Sequence, residues 1–103
     1  MFRNPGTNRE GRSFNALQIE AVWRKAETVW GQDPNLWRKD PCGALTYRAL
    51  HGDTSSRYGW EVDHIYPVAH GGGDDLNNLQ ALQWQNNRSK SDKLFGSYCM
   101  VGS

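Results

Sequence analysis

The run GWEVDHIYP, residues 59–67, limits what this chain can become. Trp60, Val62 and Ile65 sit among residues that favour extended backbone, so the run reads as a strand. Pro67 ends it, because proline has no N–H to give to a sheet ladder. AHGGGDD follows as a loop whose three glycines permit positive φ. NLQAL can pair back as a second strand. QWQNNRSKSDKLF reads as a short polar helix with a basic end, followed by Gly96. Strand, loop, strand and helix in this order fold back on themselves, and the helix can lie across the hairpin.

Side chains alternate between the faces of a strand, so the neighbours Asp63 and His64 point in opposite directions. Between residues 61 and 92 the chain also holds Glu61, His70, Asp74, Asp75, Asn77, Asn78, Asn86, Asn87 and Asp92. Asn87 on the helix can come within metal-binding distance of Asp63 on the first strand. One carboxylate, one amide oxygen and several waters suit Mg²⁺ or Mn²⁺. A zinc cluster would need a Cys or His quartet instead. Arg88 and Lys90 would stand beside such an ion and attract anions. Metal, cations and a neutral imidazole on His64 together point to phosphodiester hydrolysis. The plainer reading of the same residues is a small α+β binding domain whose His64 is satisfied by a hydrogen bond. His70 is either solvated or close to phosphate. Arg57 and Arg88 are either solvated cations or contacts to the DNA backbone.

The rest of the chain sets the setting. With 103 residues it has room for one modest core, and a net charge of +1 excludes a strongly basic coat. SFNALQIEAVWRKAETVWG reads as a helix from a cap at Ser13 or Asn15 to a stop at Gly31, with Ile19, Trp23, Ala26 and Trp30 at helical spacing. QDPNLWRKDPCG reads as a turn-rich connector, and ALTYRAL as a short strand or a helical turn. Residues 1–12 have the composition of a flexible arm; the competing reading puts Arg3, Arg9 and Arg12 on phosphate. Cys42 and Cys99 form neither a C-x-x-C motif nor a disulfide framework, so they read as reduced thiols. With no long apolar run and no signal-like N-terminus, a cytoplasmic location is expected and a membrane partner is not.

GWEVDHIYPVAHGGGDDLNNLQALQWQNNRSK resembles the HNH endonuclease motif, the ββα-metal nuclease fold. Trp60, Asp63-His64-Ile65, Pro67, Gly71-Gly72, Asn78-Leu79-Gln80, Leu82 and Asn87-x-x-Lys90 carry the resemblance. It implies that His64 is the general base that activates water and that Asp63 is the metal-binding acid. Asn78 would brace the loop and help to orient the histidine. Asn87 would be the second metal ligand, which makes this an H-N-N variant. Lys90 would be a basic position near the phosphate; beside the resemblance, the residues themselves offer Arg88, Arg57 and His70 as further nucleic-acid contacts. One Mg²⁺ or Mn²⁺ ion is expected, though Zn²⁺ or Ni²⁺ can enter such a site during preparation. Many members carry two C-x-x-C pairs around a structural zinc. Here Gln83 and Asn86 replace the second pair, so none is expected. The implied architecture is a small single α+β domain over 13–103, with the ββα-metal core at about 59–92 behind an N-terminal helix. The implied activity is metal-dependent hydrolysis of DNA, nicking or cutting the duplex; the small, sparsely charged domain suggests little intrinsic sequence specificity, as a nicking enzyme or as a module with a targeting or packaging partner protein, and the length suits a bacterial or phage-encoded protein. A catalytically weak nucleic-acid-binding module and an RNA-cleaving nuclease on the same fold remain the alternatives.

Overall fold

A computed structural model of the chain describes residues 4–94 and 97–102. Helix α1, Ala16–Lys25, opens on a full capping box. Asn15 Oδ1 accepts the Gln18 N–H at 2.8 Å, and Gln18 Oε1 accepts the Asn15 N–H at 3.0 Å. The helix ends well before Gly31. The Arg38 guanidinium donates to the carbonyls of Arg24 and Ala26 at 3.0 and 2.9 Å, and so satisfies groups that a continuing helix would have used. The chain beyond is extended instead. Trp23 is buried, but Trp30 is 98 % exposed and takes no part in the apolar stripe.

Three short antiparallel strands follow: β1 (Glu27–Thr28), β2 (Trp37–Lys39) and β3 (Leu45–Tyr47), in that spatial order. Part of the connector is therefore a strand, fixed by pairing with Thr46 and Tyr47 rather than by its own composition. ALTYRAL is both of its alternatives in succession, a strand and then a 3-10 turn over Arg48–Leu50.

Strands β4 (Trp60–His64) and β5 (Leu79–Gln83) form a separate antiparallel hairpin, with Val62 opposite Ala81 and Asp63 opposite Gln80. One face, with Trp60, Val62, Leu79 and Ala81, packs on Val22 and Trp23 of α1 and on Phe14. The Trp23 and Trp60 rings lie 5.3 Å apart, an aromatic contact that adds about 0.5–1.5 kcal/mol beyond area burial. The other face, with Glu61 and Asp63, is covered by α2, Trp84–Lys90. This helix is shorter than its sequence suggests. It starts one residue later, because Gln83 stays in β5 and caps the helix with its side chain, and it stops at Ser91, whose φ is +48°. Phe95 and Gly96 lie outside the described residues.

Between the strands, Gly71 takes φ +99°, a conformation that favours glycine. Gly72 answers a different need, since a Cβ there would lie 1.7 Å from the Tyr66 carbonyl oxygen.

The two cysteines are not free thiols. Cys42 and Cys99 form a disulfide across 57 residues. Asn86, fully buried, draws the two segments together. Its Nδ2 donates to Asp40 Oδ2 at 3.0 Å and to the Val101 carbonyl at 2.9 Å. Its Oδ1 accepts the N–H groups of Met100 and Val101 at 2.6 and 2.8 Å. The turn that carries Cys42 and the tail that carries Cys99 thus meet on one side chain. A reducing compartment can no longer be argued from the cysteines. Among the described residues no helix is long and apolar enough to cross a membrane.

Candidate active site

At the end of the hairpin the alternation of β4 separates two neighbours. Asp63 turns to α2, where its carboxylate meets Lys90 Nζ at 3.2 Å and accepts from Gln80 Nε2 at 2.9 Å. Burial pushes the Asp63 carboxyl above its ordinary range, against the opposing pull of Gln80 and Lys90. His64 turns to the opposite face, with its ring centroid 5.8 Å from that of Phe14 and its Nε2 2.7 Å from Asp74 Oδ1. The backbone N–H of Arg9 donates to both oxygens of Asp74, at 3.0 and 3.3 Å. A carboxylate only accepts, so the His64–Asp74 bond puts a proton on Nε2. Nδ1 forms no hydrogen bond with any described residue.

Asn78 ties the connecting loop shut. Its Oδ1 accepts the Tyr66 N–H at 2.8 Å, and its Nδ2 donates to the carbonyls of Gly73 and Tyr66 at 2.8 and 3.2 Å. Asp74 lies next to one of those carbonyls and is held in place by the same loop. On α2, Asn87 Nδ2 donates to Glu61 Oε1 at 2.9 Å, and Glu61 pairs with Arg88 at 3.1 Å. Asp63, His64 and Asn87 line one cavity of about 710 Å³, together with Arg88 and residues 4–7.

Residues 49–93 match the HNH endonuclease family model. This stretch is similar to an HNH endonuclease domain. No curated protein and no solved structure gives a match.

Several residues of the matched stretch sit differently from their sequence reading. Lys90 does not face phosphate: its side chain is only 5 % exposed, and it donates to the His64 carbonyl at 2.9 Å as well as meeting Asp63. It serves the protein's interior. Lys90→Met should therefore strand a buried carboxylate and lower stability at neutral pH by about 3 kcal/mol, since Asp63 can relieve part of the cost by taking a proton. Urea unfolding followed by tryptophan fluorescence measures this; an unchanged midpoint would mean that Asp63 needs no buried cation. Arg57 lies off the cavity, with its guanidinium 5.9 Å from the Tyr58 ring. His70 is exposed, and its Nε2 lies 3.2 Å from the Asp92 carbonyl at the cavity rim.

The supposed arm is also attached. Thr7 bridges to Ser13, Arg9 binds Asp74, and residues 4–7 form part of the cavity wall. Arg3 lies outside the described residues. In the sequence Glu61 and Asp74 read only as acids of the segment, with no role. The signal for Glu61 was its spacing, two residues before Asp63 and hence on the same strand face. Asp74 had none beyond its place in the loop, because Asp75 beside it fits as well.

Among the described residues no three His, Cys, Asp or Glu side chains are grouped to hold a metal. Asn87 adds an amide oxygen to these groups. Its residue is 7 % exposed, its amide nitrogen is taken by Glu61, and its Oδ1 has no hydrogen-bond partner among the described residues. A buried, unpartnered amide oxygen in the same cavity as Asp63 fits a hard divalent cation completed by water.

Proposed function

We propose that this protein is a metal-dependent endonuclease that hydrolyses DNA phosphodiester bonds. The observation that carries the reading is the one cavity lined by Asp63, His64 and Asn87. His64 is the general base. With Nε2–H held by Asp74, its Nδ1 lone pair takes a proton from the attacking water, and Asp74 stabilises the imidazolium that results. Asn78 fixes the loop that aims Asp74. A divalent ion, Mg²⁺ or Mn²⁺, held by Asp63 and Asn87 Oδ1, would supply Lewis-acid stabilisation at the phosphate. Lys90 holds Asp63 and the backbone of His64 in register rather than touching substrate. Arg88, exposed over about half its side chain, and His70, near Asp92, are the cationic or polar groups that would meet the DNA backbone. So few contacts give little sequence preference, and a targeting or packaging partner would add it.

The test is incubation of supercoiled plasmid with the protein and Mg²⁺ or Mn²⁺, with an EDTA control and a single-stranded RNA of similar length in parallel. Relaxed circles that form only with metal are the expected result. DNA binding with no metal-dependent nicking would make the chain a binding module. Cleavage confined to RNA would make it a ribonuclease on the same fold.

A further inference from the structure

An asparagine is a two-ended ligand. Only its oxygen can hold a cation; its NH₂ group repels one. The terminal torsion of the amide is broad and roughly two-fold, so the chain itself does not choose which end faces a site. Something outside Asn87 has to choose.

We infer that Glu61 is that positioning residue: by accepting the Asn87 amide N–H at 2.9 Å, it turns the Asn87 oxygen toward the cation shared with Asp63. The inference rests on the metal-dependent reading above. An ionised carboxylate has no proton to donate, so Glu61 can engage only the nitrogen end. Glu61 is itself fixed. It is 6 % exposed, and Arg88 Nη2 reaches its Oε2 at 3.1 Å.

The register supports the assignment. Glu61 and Asp63 project from the same face of β4, while Asn87 and Lys90, three apart, share a face of α2. The two carboxylates meet an amide and an ammonium in order, Glu61 with Asn87 and Asp63 with Lys90. Glu61 is thus held from two sides, by Asn87 and by Arg88, and keeps the amide nitrogen fixed.

Mn²⁺ binding to the DNA-free protein, by calorimetry, tests this without reference to cleavage. Glu61→Gln can present either end of its own amide, so Asn87 loses its preference, and Mn²⁺ affinity should fall roughly 10- to 100-fold, as expected for an outer-shell partner. In an Asn87→Asp background the same change should cost little, because the two oxygens of Asp are equivalent and need no orienting. Glu61→Gln that binds Mn²⁺ as well as the natural protein overturns the inference. So does an equal loss in both backgrounds, which would mark Glu61 as merely structural. The natural protein covers the case of a variant that fails to fold. The Asn87 side-chain NH₂ should stay protected from solvent exchange with and without Mg²⁺, and loss of protection on adding Mg²⁺ would also overturn it. If Mn²⁺ binding is absent, or is untouched by Asp63→Ala, the metal site itself fails and this inference with it. Mn²⁺ binding that needs Asp63 but not Glu61 sinks this inference alone.

Discussion

His64→Ala is expected to lower metal-dependent plasmid nicking by about 10²–10⁴-fold, the usual contribution of a positioned general base. DNA binding should change little, because the side chain is 5 % exposed and the cationic groups near the cavity are left in place. The size of the loss follows from what remains. Positioning and charge stabilisation at the phosphate survive the change, so cleavage falls without vanishing. Asp74→Ala should fall between the natural protein and His64→Ala. It keeps the imidazole but frees Nε2, and with it the choice of which ring nitrogen carries the proton. His64 also packs against Phe14, so circular dichroism must show that each variant is folded. A folded His64→Ala that nicks at the natural rate would remove the general-base assignment. A folded Asp74→Ala as slow as His64→Ala would mean that an unaimed imidazole does nothing here.

How much of the fold and site is legible in the sequence depends on where each cause lies. The hairpin and the start of α1 were legible because their causes are local: alternation in 60–64, Pro67, and the pairing of Asn15 with Gln18. The end of α1 was not, because the group that satisfies its last carbonyls is Arg38, on another strand. Strand β2 was hidden between two Asp-Pro pairs and exists through its neighbours. For the site, sequence spacing put Asp63, His64 and Asn87 in one segment, and the cavity holds all of them. The surroundings were not legible. A lysine near the end of a polar helix reads as solvated, and only the crossing of α2 over β4 carries Lys90 into the interior. Glu61 and Asp74 gain their parts from partners 26 and 10 residues away.

The disulfide is the least legible feature, and its removal should have the largest effect on stability. Cross-linking across 57 residues restricts the unfolded chain enough to contribute about 4 kcal/mol in the chain-entropy account. For a domain of this size, Cys42→Ser with Cys99→Ser should therefore lower the melting temperature by roughly 15–30 °C. Dithiothreitol should do the same to the natural protein and nothing further to the double variant. The competing expectation is that the hydrogen bonds on Asn86 dock the tail without a covalent link. Each such bond contributes only about 0.5–1.5 kcal/mol net, and their benefit depends on the tail staying close. The link also bears on the site. Tyr98, next to Cys99, lies near Gln80 and Asp63, and burial together with the nearby charge of Asp63 raises its phenol above the ordinary value. Gln80 in turn holds Asp63, and Asn86 precedes Asn87. A freed tail should thus loosen both ends of the proposed metal site, and Mn²⁺ affinity should drop on reduction while the domain is still folded at low temperature. A melting temperature that moves by less than about 5 °C would mean that Asn86 holds the tail unaided. Unchanged Mn²⁺ affinity in the reduced protein would confine the disulfide to stability and separate it from the site.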